Sequence, residues 1–345
     1  MDNKVKVLNK TRILFIHALK VPFILNDISL LSEFFDVKIL DLSPYSGSTM
    51  KKLKYAPRIL VEMIKGILWS HVTFSWFADI HAFLAVLFSK ILGRKSVVVV
   101  GGYEVVMAPE IRYGGMLSSR KARMIRFILR HADKILAVSR NNMSEILRWV
   151  NRDIELIYNC VDCDRFKPEG TKENLVITVG RINKLTLKRK GIETFVKSAR
   201  HLPHVSFVVI GGWSDSSIEY LKSIAPQNVE FTGFVSEEEL VKWYQKAKVY
   251  CQLSFYEAFG VSLAEAMACE CIPVVTNRGA IPEVVGDCGF YVPYGDEKAA
   301  AEAIKKALNA PEELGRKARE RIKNLFSKNR REAELVRVIE GLYEP

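Results

Sequence analysis

Short runs rich in Val, Ile and Phe alternate with helix-length stretches along almost the whole chain, and no other feature constrains the fold as tightly. β-branched runs bounded by turn residues read as strands. Strands separated by helices pair in parallel, because a parallel crossover needs a dozen or more residues. The runs predict strands at 12–17, 36–41, 71–76, 96–100, 134–138 and 154–157, then at 174–179, 205–211, 228–232, 248–253, 271–275 and 288–292. The polar stretch 162–173 carries Pro168 and Gly170 and interrupts both periodicities, which marks a domain boundary. At 345 residues the chain exceeds one ordinary core. The expectation is an α/β chain of two domains, 1–165 and 166–325, each with a parallel sheet.

Charge and composition narrow the partners. Residues 1–165 hold 25 Lys and Arg against 15 Asp and Glu, whereas 166–345 hold 26 against 24. A basic front half suits an anionic partner, a phosphorylated substrate or an anionic membrane surface, and reads equally as a lysine-rich solvated face. No nucleic-acid motif or basic–aromatic stripe is present, so nucleic acid is not expected. Two stretches could form a basic membrane-docking helix. One starts with Pro57 at its first position, aligns Leu60, Met63, Ile64, Ile67 and Leu68 on one face, and follows Lys51, Lys52 and Lys54. The other is 118–131, with Arg120, Lys121, Arg123, Arg126 and Arg130. For both, the simpler reading is a helix packing its apolar face on its own sheet. No apolar run reaches the roughly 18–20 residues of a spanning helix. The run Ile13–Ile16 is short for a signal peptide and soon meets Lys20. A cytoplasmic protein is expected, with the inner membrane face as a further location. The six cysteines read as free thiols, and the Cys160/Cys163 pair lacks a second pair or His cluster at zinc spacing, so no metal is expected.

Chemistry concentrates in the stretch from Ser254 to Cys269. The strand at 248–253 ends, a loop bears Glu257 and Gly260, and an apolar helix begins near Val261. Unpaired N–H groups at a helix start favour an anion such as a pyrophosphate, and Gly260 allows close backbone approach. Glu265 sits between Leu263, Ala264, Ala266 and Met267, a poor place for a solvated carboxylate. Eight helical residues span about 12 Å, so Glu257 and Glu265 suit two ends of one long ligand rather than one shared proton. A second segment places Gly180-Arg181 at a strand end and Lys190-Gly191 before a helix. Two cations at the C-terminal edge of a parallel sheet would neutralise a departing diphosphate, each such donor contributing roughly 3–4 kcal/mol in the transition state. Lys184, Lys188 and Arg189 read as a basic surface loop.

With these residues in view the sequence resembles the retaining family-four (group 1) glycosyltransferases of the GT-B fold. The E-x7-E motif runs from Glu257 to Glu265, and Gly180-Arg181 and Lys190-Gly191 match the cationic pair. Further matches are Ala132–Ser139, Asn159–Asp162 with Arg165-Phe166, Val229–Phe234, Ile281–Val285 and Val292–Asp296. The resemblance implies two Rossmann-like domains with parallel sheets facing a central cleft, a C-terminal helix at 326–345 packing back on the first domain, and a UDP- or GDP-sugar donor. It also implies transfer with retained anomeric configuration to a glycan, polysaccharide or lipid-linked acceptor. Glu257 would hold the sugar, with Phe259, Gly260, Val261 and Ser262 helping. Glu265 would hold the ribose, and Arg181 and Lys190 the diphosphate beside Gly180. The resemblance implies no metal and no cofactor, the nucleotide-sugar being a substrate. Asp162-Cys163-Asp164 spells a metal motif of the other glycosyltransferase fold but falls on a different family stretch, and reads as a decoy. The first loop, His17–Pro22, lacks the family's glycine pair, so Lys20 becomes an acceptor-side candidate. Gly101 replaces a family histidine before Gly102. These departures raise an alternative: a catalytically silent paralogue that binds nucleotide-sugar or supports a partner enzyme.

Overall fold

The computed structural model describes residues 11–45 and 49–343, with side chains undescribed for 49–53. The described chain forms two compact units, one of 11–45, 49–109, 114–159 and 329–343, the other of 110–113 and 160–328. Each is built on one six-stranded, all-parallel sheet.

The first unit runs β1 (Arg12–His17), α1 (Pro22–Phe34), β2 (Asp36–Asp41), α2 (Thr49–Trp69), β3 (Val72–Trp76), α3 (Ile80–Ile91), β4 (Lys95–Val100), α4 (Ser119–His131), β5 (Lys134–Ala137), α5 (Arg140–Leu147) and β6 (Glu155–Leu156). Its strand order is β2-β1-β3-β4-β5-β6. The core strands β1, β3 and β4 are buried nearly end to end, as expected of a sheet covered on both faces.

The second unit runs β7 (Glu173–Val179), α6 (Lys184–Lys190), α7 (Ile192–Ser198), β8 (Ser206–Ile210), α8 (Ser217–Ile224), β9 (Val229–Gly233), α9 (Glu237–Lys246), β10 (Ala247–Gln252), α10 (Val261–Ala268), β11 (Ile272–Thr276), α11 (Ile281–Val285), β12 (Phe290–Val292), α12 (Glu297–Leu308) and α13 (Glu312–Leu325). Its strand order is β12-β11-β10-β7-β8-β9, so the chain reverses its direction of travel across the sheet between β7 and β10. Such a switch point opens a crevice at the C-terminal ends of the two strands.

Each of the twelve strands begins and ends within two residues of its predicted span. Two helical expectations need correction. The helix read as starting at Pro57 begins at Thr49, and Pro57 lies inside it. Proline is at home in a first turn and costs a backbone hydrogen bond farther in. Here the loss is tolerated because the next turns bury Met63 and Ile67 against Leu14 and Ile16 of β1. Leu68, assigned to the apolar face, is half exposed, and Lys51 and Lys52 lie outside the described side chains. The second correction concerns Lys184–Lys190, read as a loop, which forms α6 behind a reciprocal cap between Asn183 and Thr186. In α4, Ala122, Ile125, Ile128 and Leu129 are buried while Arg120, Lys121, Arg123 and Arg130 are exposed. No described helix is long and apolar enough to cross a membrane.

A buried ion pair ties the C-terminal helix α14 (Lys328–Glu340) to the first unit. Arg331 donates to both carboxylate oxygens of Asp27 on α1, at 2.6 and 2.7 Å, and Trp76 Nε1 donates to Asp27 at 2.8 Å. The same guanidinium satisfies the carbonyls of Ile157 and Tyr158. Asp27 is fully buried and Arg331 nearly so. Removing one partner leaves an uncompensated charge, so Asp27→Ala should cost about 3–5 kcal/mol, and Arg331→Met should cost a similar amount. The double variant Asp27→Leu/Arg331→Met should be more stable than either single one. Urea unfolding of the three proteins checks this; single-variant losses below about 1 kcal/mol would show that the pair does not hold the helix.

Candidate active site

The site is assembled at the β7/β10 switch point of the second unit. Strand β10 ends in Gln252, Ser254 follows, and the next turn carries Glu257, only 7% exposed. Four groups converge on one of its oxygens, Oε1: Lys190 Nζ at 2.7 Å, the Ser254 hydroxyl at 2.9 Å, Gln252 Nε2 at 3.1 Å and Arg189 Nη1 at 3.7 Å. The other oxygen, Oε2, takes no hydrogen bond among the described residues and is reached by solvent. Burial alone would raise the pKa of Glu257, but Lys190 and Arg189 outweigh it and hold the carboxyl below the usual range. Burial, reinforced by Arg189, draws the Lys190 ammonium below an ordinary lysine, with Glu257 opposing. The buried group is therefore an ionised carboxylate with one free oxygen.

Backbone geometry explains why two cations reach this carboxylate. Helix α6 ends at Gly191, whose left-handed φ of 65° turns the chain into α7. A Cβ there would fall on the Leu253 carbonyl, so only glycine lets the end of α6 lie against the β10 loop. The Phe255 N–H donates to the Arg189 carbonyl at 2.8 Å. On the other side the Ala280 N–H donates to the Glu257 carbonyl at 2.9 Å, and the Thr276 hydroxyl donates to the Ser254 carbonyl. Arg189, which the sequence assigned to a solvated loop, is instead largely buried, its guanidinium 5.2 Å from the centre of the Tyr113 ring. Gly180, at the end of β7, lies beside the Lys190 side chain. Arg181 follows it with an exposed side chain.

Helix α10 starts at Gly260, whose φ of 95° lies in a region that side-chain-bearing residues avoid. The N–H groups of Val261, Ser262 and Leu263 have no acceptor among the described residues, as the geometry of a first turn requires. Phe259 is buried, and its ring packs edge-on against Phe326. Glu265, in the second turn of α10, is 8% exposed. The Tyr244 hydroxyl donates to its Oε2 at 3.2 Å. Burial raises its pKa to about 8, the nearby Glu237 adding to the shift while Tyr244 and Arg165 oppose it. Tyr250 donates its hydroxyl to Gln252 Oε1 at 2.9 Å, and its titration is raised by burial and by the charges of both acids.

The remaining candidates lie elsewhere. Lys20 is exposed and ion-paired with Asp41 at 3.0 Å in the first unit. Gly101 and Gly102 follow β4 and abut Glu104, a buried acid that accepts from the Ala78 and Gly101 N–H groups and whose pKa burial raises. Asp162 spends its carboxylate on the N–H groups of Asp164 and Arg165, a local turn. No group of three or more His, Cys, Asp or Glu suited to a metal occurs among the described residues. Sequence reasoning missed Ser254, Gln252 and Tyr244 as partners of the two acids. Their signal was available: a polar pair where an apolar strand ends, and a tyrosine before the next.

Known proteins share this arrangement of strands. Residues 163–325 match the family model described as glycosyl transferases group 1. A capsular polysaccharide biosynthesis glycosyltransferase, CapM of Staphylococcus aureus, is 36% identical over 170 residues, 45% of this chain and 43% of that protein. One subunit of the Arabidopsis thaliana phosphatidylinositol N-acetylglucosaminyltransferase is 28% identical over 244 residues, covering 66% of this chain and 54% of its own length. The chain thus spans about half the length of the curated relatives it matches. Among solved structures, Anabaena Alr3699/HepE in complex with UDP and glucose superposes with a TM-score of 0.80 at 16% identity, over 96% of this chain and all of that one. The chain resembles the group 1 glycosyltransferases and has the GT-B fold.

The Glu265 environment makes a pH prediction. A carboxyl at pKa about 8 in the folded protein, against 4.5 when unfolded, keeps its proton in the folded state over a range where the unfolded chain has lost it. Folding stability attached to this group is therefore full below pH 4.5 and drains away as pH rises toward 8. Glu265→Gln removes that drain. Its stability relative to wild type should grow by roughly 2–4 kcal/mol between pH 5 and pH 8. Urea unfolding at the two pH values measures it; a pH-independent difference would contradict the assignment.

Proposed function

We propose that this chain, whose residues 163–325 carry the group 1 glycosyltransferase domain, transfers a sugar from a UDP- or GDP-sugar to a glycan, polysaccharide or lipid-linked acceptor with retention of configuration. The observation that carries the reading is the ionised Glu257 at the switch point, with Oε1 saturated by Lys190, Ser254 and Gln252 and Oε2 open. Oε2 accepts hydrogen bonds from sugar hydroxyls. The free N–H groups at the start of α10 and the cations Lys190 and Arg181 receive the diphosphate, with Gly180, Phe259, Gly260, Val261 and Ser262 supplying close backbone. Glu265, protonated below about pH 8, faces the ribose diol and both donates and accepts.

The bond from the anomeric carbon to the diphosphate oxygen breaks, and its electron pair leaves with the nucleoside diphosphate. The acceptor oxygen attacks the same face, and its proton passes to the leaving phosphate. No protein nucleophile, metal or cofactor takes part in this scheme. Positive charge already fixed at the leaving group stabilises the transition state without reorganisation. A structurally similar protein was solved with UDP and glucose, which supports a uridine donor, and the names of the curated relatives support lipid-linked or polysaccharide acceptors. On the acceptor side we assign Lys20, Gly101 and Gly102. We also propose that the exposed arginines of α4 rest on an anionic membrane surface, consistent with a cytoplasmic protein at the inner membrane face.

Release of nucleoside diphosphate from UDP- and GDP-sugars over an acceptor panel tests the reaction. Glu257→Gln and Arg181→Ala should each lower turnover at least about tenfold in protein that remains folded at the assay temperature, equivalent to about 1.4 kcal/mol of transition-state stabilisation. If neither substitution does so, the roles are wrong. Nucleotide binding without turnover on any acceptor would leave the silent, binding-only alternative. Flotation with vesicles should recover the protein with anionic lipid and not with neutral lipid; equal recovery from both removes the membrane assignment.

A further inference from the structure

The second sheet is wholly parallel, so its strands end along one edge in the order β12-β11-β10-β7-β8-β9. The residue just past each strand therefore takes a fixed place in a row. Glu257 follows β10, and Gly180-Arg181 follows β7. On the other side of Glu257 comes Arg278, two residues beyond β11, and then Tyr294, two beyond β12. Arg278 thus lies across β10 from Arg181, on the side where Phe255 and Tyr294 meet the end of α6.

Arg278 is held in an unusual way. Its guanidinium carbon stands 4.4 Å from the centre of the Phe255 ring and 5.3 Å from that of Tyr294, and the two rings meet edge to face at 5.2 Å. Stacking on aromatic faces fixes the plane of a guanidinium while leaving the N–H groups on its rim free. The rim donates no hydrogen bond and forms no ion pair among the described residues. Glu193, the carboxylate that acts on Tyr294, is already engaged by Lys197 at 2.6 Å and by the Tyr220 hydroxyl.

The frame that holds Arg278 is the frame of the active site. The Tyr294 hydroxyl donates to the Lys188 carbonyl at 2.7 Å, and Phe255 N–H to the Arg189 carbonyl, both at the end of the helix that presents Arg189 and Lys190 to Glu257. Ala280, two residues after Arg278, donates its N–H to the Glu257 carbonyl. A cation that is fixed, exposed and unpaired, one strand away from the sugar-binding acid, has the chemistry of a receptor for a planar or tetrahedral anion. We propose that Arg278 recognises an anionic group, a carboxylate or phosphate, carried by the substrate outside the nucleoside diphosphate. The group is either on the donor sugar itself or on the acceptor. This inference rests on the donor-site reading above, and it adds a specificity determinant that the E-x7-E acids and the diphosphate cations do not supply.

Calorimetric titration of wild type, Arg278→Gln and Arg278→Lys separates the two sources. The donor arm compares UDP-glucuronate with UDP-glucose, and the GDP-linked counterparts. The acceptor arm titrates protein saturated with UDP or GDP with glucose 6-phosphate against glucose, and with undecaprenyl phosphate against undecaprenol in neutral detergent. Wild type should prefer the charged member of at least one pair by about tenfold or more, as bidentate charge-assisted bonding gives. Arg278→Gln should reduce that preference to less than about threefold and Arg278→Lys should keep part of it, while affinity for the bare nucleoside diphosphate changes by less than about twofold. A wild type that prefers no charged probe, or a preference that survives Arg278→Gln, overturns the inference and leaves the donor site standing. If no nucleoside diphosphate binds to the wild type, the donor-site reading falls and takes this inference with it.

Discussion

The ion pair between Lys190 and Glu257 is the contact on which the site depends. Neither charge has an adequate water shell at this depth, and each is tolerated because the other lies 2.7 Å away. A buried pair of this kind repays its desolvation only with good geometry and further hydrogen bonds. Ser254 and Gln252 provide those bonds on the acid. The backbone provides the geometry: Gly191 turns α6 against the β10 loop, and the Ala280 N–H fixes the carbonyl of Glu257 from the other side. Replacing the pair by apolar residues would be no worse for stability in many proteins. Its presence at a switch point is therefore better understood through what the free Oε2 can bind.

The two acids of the E-x7-E motif are chemically unlike, although they sit one helix apart. Glu257 is surrounded by cations and hydroxyls and is ionised. Glu265 is buried, has Tyr244 as its one hydrogen-bonding partner among the described residues, and keeps its proton to about pH 8. Environment alone divides the roles, one a fixed anion and the other a neutral group able to donate as well as accept. On the proposed reading this division matches the ligand: hydroxyls beside a developing positive charge at one end, an uncharged diol at the other.

The strands were legible because each is a short β-branched run closed by polar or turn residues, and the parallel order follows from the helices between them. Pro57 misled because proline at a helix start is the commoner placement, and the packing of Met63 and Ile67 that carries the helix through it is long-range. Helix α6 was hidden for a different reason. Lys184–Lys190 is short and strongly basic and shows no apolar face, and its only local signal is the Asn183–Thr186 cap. The sequence argued that Glu265 could not be solvated, and it is buried. It assigned Arg189 to solvent, because the partners that bury it, Tyr113 and Glu257, are distant in the chain. Arg278, Phe255 and Tyr294 were illegible for the same reason: three strands must be placed side by side before the residues that follow them meet.

Everything proposed here requires that the C-terminal edge of the second sheet binds a nucleoside diphosphate. The direct measurement is the dissociation constant of UDP and of GDP for the wild type and for Arg181→Gln. The account predicts saturable, one-site binding of at least one of the two, weakened at least about tenfold by losing that single exposed cation while the protein stays folded. Absence of binding by the wild type, or equal affinity in both proteins, would contradict it.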